Sequence, residues 1–145
     1  PSDVIGLETL LDRPYEHEAL AMWPCEICCL PVQVVRDLSQ RNPTLHHELR
    51  HRWQRALSDA DAWLTELSTG SARQRVARLI LRLSDHGPGQ PECRLFSRED
   101  LGAMLGITTE TASRTIAEFK RNGWLRELAS NHYRVDAAAL QETFS

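Results

Sequence analysis

From residue 45 onward, apolar residues recur at helical steps. Leu45, Leu49, Trp53, Ala56, Ala60, Trp63 and Leu67 are spaced by 4, 4, 3, 4, 3 and 4 positions, which places them on one stripe of an α-helix. Glu48, Arg50, Arg52, Arg55, Asp59, Asp61 and Glu66 crowd the remaining surface. The pattern predicts one amphipathic helix over residues 43–68, opened at Asn42-Pro43 because proline suits the first helical turn. At about 1.5 Å per residue it runs roughly 39 Å. That length exceeds what a small domain covers, so the stripe calls for a partner as long as itself. A second copy of the helix is the economical one, and these seven residues are the expected dimerisation seam. Packing only within its own chain is the alternative.

Ahead of this helix, Pro1, Gly6, Pro14, Pro24 and Pro31 separate short apolar stretches such as Val4-Ile5 and Cys25 to Leu30. The spacing predicts strands and turns there, with helical spacing over residues 32–40. Behind it, Ser68-Thr69-Gly70-Ser71 forms a break. Val76, Leu79, Ile80 and Leu83 then give one face of a further helix from Arg73. A polar loop with Gly87, Pro88, Gly89 and Pro91 follows. Beyond it the pattern predicts a short strand at Arg94-Leu95-Phe96 and helices at about 98–105 and 109–122. A hairpin over Trp124 to Val135 and a last helix from Asp136 complete an α+β chain.

The two helices around residue 106 have a mechanical logic. Ser97 is placed to cap the first, Leu101, Met104 and Leu105 face inward, and Gly106 supplies a left-handed turn. Thr108 is placed to cap the second. There Ala112, Ile116 and Phe119 point inward, while Glu110, Ser113, Arg114, Ala117 and Arg121 share the opposite face. A helix with polar residues at its exposed N-terminus suits the major groove of DNA. Arg114 can bond guanine O6 and N7, Glu110 can accept from a cytosine amine, and Ser113 can hydrogen-bond or touch a thymine methyl. Ser97, Arg98, Thr108, Thr111 and Arg121 are expected on phosphates, as is His132 in the hairpin tip Ala129-Ser130-Asn131-His132.

Composition sharpens this picture only after division. The formal net charge of −3 does not point to nucleic acid. Yet residues 1–70 hold 6 Arg, no Lys and 11 acidic residues, whereas residues 71–145 hold 11 basic and 9 acidic ones. The mild basic excess thus lies with the helix pair. No apolar run approaches the length of a membrane span, so no membrane partner is expected, and reduced thiols in a cytoplasmic protein are.

The run from Gly106 to Leu125, Gly-Ile-Thr-Thr-Glu-Thr-Ala-Ser-Arg-Thr-Ile-Ala-Glu-Phe-Lys-Arg-Asn-Gly-Trp-Leu, resembles the recognition-helix signature of Crp/Fnr-family transcription regulators. The resemblance extends back through residues 71–83 and Asn42-Pro43, and more loosely to Asp3-Val-Ile-Gly6 and Pro24-Cys-Glu-Ile-Cys28. It implies three parts: the C-terminal piece of a cyclic-nucleotide-binding-like β-roll over 1–42, a dimerisation helix over 43–68, and a winged helix-turn-helix over 69–145. The chain, opening on Pro-Ser-Asp, is expected to lack the first part of its sensor. The resemblance further implies a bacterial regulator, not an enzyme, that binds palindromic double-stranded DNA as a homodimer. Glu110, Ser113 and Arg114 match the Fnr-like pattern, which implies a TTGAT-type half-site. The loop from Asp85 to Pro91 is where the resemblance would put a contact with RNA polymerase.

Cyclic-nucleotide binders of this fold pair a Gly-Glu with a downstream arginine. Here Gly6-Leu7-Glu8 displaces the acid, and Tyr15-Glu16-His17-Glu18-Ala19 offers carboxylates that repel a phosphate. No cyclic AMP binding is expected. Fnr itself carries an iron-sulfur cluster, with ligands mostly upstream of this chain, and no cofactor is expected here. On a strand, Cys25 and Cys29 would face one side and Cys28 the other, so the expectation is buried small apolar residues rather than ligands. His47-Glu48-Leu49-Arg50-His51 is a literal His-Glu-x-x-His, the zinc-peptidase arrangement. Against that reading, Arg50 lies between the histidines and no third ligand follows. A sensor whose winged helix contacts protein instead of DNA is the other alternative.

Overall fold

The computed structural model describes residues 4–15, 18–21, 23–84 and 90–144. It divides into two compact units, Pro1–Asp61 and Ala62–Ser145.

The first unit carries a 3-10 helix at Leu7–Leu11, helix α1 at Val32–Arg41 and most of helix α2, Pro43–Ser68. Arg36 ties the first two together: its guanidinium donates to the Thr9 carbonyl and pairs with Asp12, each at 2.6 Å. Asn42 starts α2 as expected before Pro43. Its side-chain oxygen accepts from the backbone N–H of Thr44 at 3.0 Å and of Leu45 at 3.2 Å, two of the donors a helix start leaves open.

The strands expected near Val4-Ile5 and Cys25 to Leu30 are not formed among the described residues. A lone extended segment gains no ladder hydrogen bonds, and no described neighbour supplies one. Cys25, Cys28 and Cys29, expected to be buried, are exposed for the same reason, whereas Cys93 lies in the core of the second unit. Glu16 and His17, part of the argument against cyclic AMP, lie outside the described residues.

The second unit holds the core. It comprises the end of α2, helix α3 (Ala72–Leu83), strand β1 (Glu92–Arg94), helices α4 (Arg98–Leu105) and α5 (Thr109–Arg121), strands β2 (Leu125–Ala129) and β3 (His132–Val135), and helix α6 (Ala137–Gln141). The strands form one antiparallel sheet in the order β1-β3-β2. Val76, Leu79, Ile80, Leu101, Leu105, Ile116, Phe119, Tyr133 and Leu140 are fully enclosed. Burying such a side chain stabilises by about 1.5–3 kcal/mol, the main force holding four helices to a three-stranded sheet.

The break after Ser68 is sealed by local chemistry. Ser71 caps α3, accepting from Gln74 N–H, while Gln74 Oε1 accepts from Ser71 N–H at 2.9 Å, a reciprocal box. Arg78 donates at 2.8 Å to the carbonyls of both Glu66 and Thr69, satisfying acceptors at the α2 C-terminus.

The stripe on α2 does not stay uniform. Leu67 is buried in the core of its own chain and Trp63 packs against that core under Arg82, whose guanidinium lies 5.1 Å from the ring centroid. These two seam residues are therefore packed within the core cluster of the second unit. Leu45, Leu49 and Trp53 are half-buried, and Ala56 and Ala60 exposed. Leu57 and Leu64, beside the stripe, are 52% and 69% exposed. No helix among the described residues is long and apolar enough to cross a membrane.

Candidate nucleic-acid interface

The site is built on the turn between α4 and α5. Ser97 opens α4: its hydroxyl accepts from Asp100 N–H at 3.0 Å and donates to the Asp100 carboxylate at 2.6 Å. Gly106 closes the helix in the left-handed region at φ 59, where a side chain would be strained. Gly102, inside α4, is required for a different reason. A Cβ there would lie 2.8 Å from the Ile107 carbonyl oxygen, so only glycine lets the chain fold back this tightly onto α5.

Thr108 starts α5, accepting from Thr111 N–H at 3.1 Å, with the two hydroxyls 2.9 Å apart. Ala112, Thr115, Ile116 and Phe119 are the buried face. Their helical spacing forces Glu110, Ser113, Arg114, Ala117 and Arg121 outward, and all five are exposed. Glu110 and Arg114 retain 78% and 72% of their side-chain surface, and Arg114 Nε stands 3.9 Å from Glu110 Oε1. Two turns of a well-anchored helix thus present a carboxylate, a hydroxyl and a guanidinium side by side. The anchoring is deep: Arg73 pairs with Glu118 at 3.0 Å and lies over Trp124, while Arg75 donates at 2.6 Å to the Leu105 carbonyl.

Of the expected phosphate contacts, Ser97, Thr108 and Thr111 sit at the two helix starts, where backbone N–H groups also favour anions. Arg121 is exposed at the far end of α5. Arg98 and His132, also expected on phosphates, each have a partner within the chain. Arg98 is half-buried and donates to the Tyr133 hydroxyl at 2.9 Å, tying α4 to β3. His132 begins β3 rather than standing at the hairpin tip, and its Nε2 lies 3.1 Å from Glu92 on β1. In both cases a partner distant in sequence claims the side chain. Lys120, beside this region, bonds Glu127; that bond raises its pKa above the usual lysine value.

The sheet carries a feature that sequence reasoning missed. Cys93, Leu125, Tyr133 and Val135 point into the core, so Arg94, Arg126, His132 and Arg134 occupy the other face, around Glu92. Arg134 pairs with Glu92 at 3.3 Å. Alternation in Glu92-Cys93-Arg94 and His132-Tyr133-Arg134-Val135 is the signal that would have revealed it.

Residues 74–143 match the Crp-like helix-turn-helix domain. Over these residues the chain carries a Crp-like helix-turn-helix domain. It is 28% identical over 145 residues to the transcriptional activator protein anr of Pseudomonas aeruginosa, covering 97% of this chain and 59% of that protein. It is 30% identical over 130 residues to the transcriptional activator protein FnrA of Stutzerimonas stutzeri, covering 86% of this chain and 53% of that one. The chain thus spans little more than half the length of these regulators. Among solved structures, FixK2 from Bradyrhizobium japonicum superposes with a TM-score of 0.68 at 21% identity, over 77% of this chain and 57% of that one. This last likeness supports the Crp/Fnr fold, with α4 and α5 as its helix-turn-helix.

Proposed function

We propose that this chain is the DNA-reading part of a Crp/Fnr-type transcription regulator that binds a palindromic operator as a homodimer. The observation that carries the reading is the exposed trio of Glu110, Ser113 and Arg114 on the first turns of α5, directly after a capped, glycine-closed turn. Arg114 reads a guanine, Glu110 a cytosine amine and Ser113 a neighbouring base, while Ser97, Thr108 and Thr111 set register on phosphates. The Fnr-like arrangement of the trio favours a TTGAT-type half-site, and the similar proteins anr and FnrA are named as transcriptional activators.

Support for the dimer comes from the exposed apolar residues Ala56, Leu57, Ala60 and Leu64 along α2, which lose water by packing against a second copy. Two recognition helices would then meet successive major grooves about 34–36 Å apart. A contact between the loop from Asp85 to Pro91 and RNA polymerase falls largely outside the described residues.

A mobility-shift titration at fixed salt, with a TTGAT palindrome and a scrambled duplex, tests the reading. Preference for the palindrome that disappears in Arg114→Ala is the expected result. Equal affinity for both duplexes rejects base reading and favours a protein-binding winged helix.

A further inference from the structure

The His-Glu-x-x-His segment of α2 has no part in DNA reading, yet its two histidines are brought together. The Nε2 atoms of His47 and His51 approach to 2.8 Å, with ring centroids 4.4 Å apart and planes at 82°. Both side chains are exposed. We propose that His47 and His51 form a two-histidine chelate for a late first-row divalent cation such as Ni²⁺, Cu²⁺ or Zn²⁺.

The geometry suits the chemistry. Histidines at i and i+4 share one helix face, and imidazole nitrogen is a preferred donor for these ions. Two metal–nitrogen bonds of about 2.0–2.1 Å at a tetrahedral angle hold the nitrogens roughly 3.3 Å apart, so a small rotation of the rings admits the ion. Both nitrogens must be unprotonated to bind, and the remaining positions fall to water. Among the described residues no third His, Cys, Asp or Glu joins them.

This is a chelate rather than a peptidase centre. The catalytic role of Glu48 in such a motif requires a carboxylate free to activate water, but Glu48 pairs with Arg52 at 3.1 Å. The helical wheel puts His47 and His51 on the side of α2 away from Leu45, Leu49, Ala56 and Ala60. The chelate therefore stays open whether or not the helix dimerises, and it stands independently of the DNA-reading proposal.

The test is calorimetric titration of Ni²⁺ and Zn²⁺ into the untagged chain with Cys25, Cys28 and Cys29 replaced by serine, since exposed thiols would also take zinc. Saturable binding of one ion per chain is expected, lost in His47→Ala and in His51→Ala but kept in His46→Ala. Alanine favours helix, so far-UV circular dichroism should report α2 intact in every variant. An independent readout uses the unsubstituted histidines: paramagnetic Ni²⁺ should broaden the ring signals of His47 and His51 before those of the other four of the six histidines. Binding that survives both substitutions, the absence of saturable binding, or broadening spread evenly over all the rings would overturn the proposal and leave only a histidine–histidine hydrogen bond.

Discussion

Arg114 holds its guanidinium 3.9 Å from the Glu110 carboxylate one turn earlier on α5, with both side chains mostly in solvent. So loose a surface pair contributes between zero and about 1 kcal/mol to the fold. It leaves both groups ready to exchange each other for base edges.

Arg114→Ala should therefore leave thermal stability nearly unchanged, within about 0.5 kcal/mol. It should also remove about 1–3 kcal/mol of discrimination at the cognate guanine. Competition binding against duplexes altered at that one base pair checks this. A uniform loss of affinity on every duplex would assign Arg114 to phosphate instead.

Arg98 should behave in the opposite way. Its bond to Tyr133 joins α4 to the sheet, so Arg98→Ala should lower stability by about 1–3 kcal/mol. Tyr133→Phe should cost part of the same amount, and the double variant little more than Arg98→Ala alone, since both remove one interaction. Urea unfolding of the four proteins measures the coupling. Additive losses would show the bond to be energetically idle.

Gly102→Ala is expected to damage the site without touching it. The added methyl meets the Ile107 carbonyl oxygen at 2.8 Å, so α4 and α5 must move apart at a cost of about 1–3 kcal/mol. Melting temperature and operator affinity should fall together.

On α2, residues of similar chemistry should separate by location. Leu67→Ala, in the core, should cost about 2–5 kcal/mol of stability. Leu57→Glu with Leu64→Glu, on exposed positions, should spare folding but shift the chain to monomer in sedimentation velocity. A monomeric parent chain would remove the dimer from the functional reading.

How much of this was readable beforehand depends on the range of each interaction. The break at Ser68 to Ser71, the caps at Ser97 and Thr108 and the glycine turn at Gly106 rest on contacts within about four residues, so their residue types announce them. The outward direction of Glu110, Ser113 and Arg114 follows likewise from the periodicity of Ala112, Ile116 and Phe119. The partners of Arg98 and His132 were not readable, because Tyr133 and Glu92, far away in sequence, reach them only once the sheet has formed.

The amino-acid sequence alone determined the succession of helices in the second unit and the polar face of α5, since helical period and capping are local properties of a chain. Only the tertiary structure decided which cations on that unit are engaged, which end of the α2 stripe is enclosed, and that four basic side chains share the outer sheet face. Those outcomes depend on which distant element packs against a given side chain in the folded state, and no spacing rule along one strand or helix encodes that.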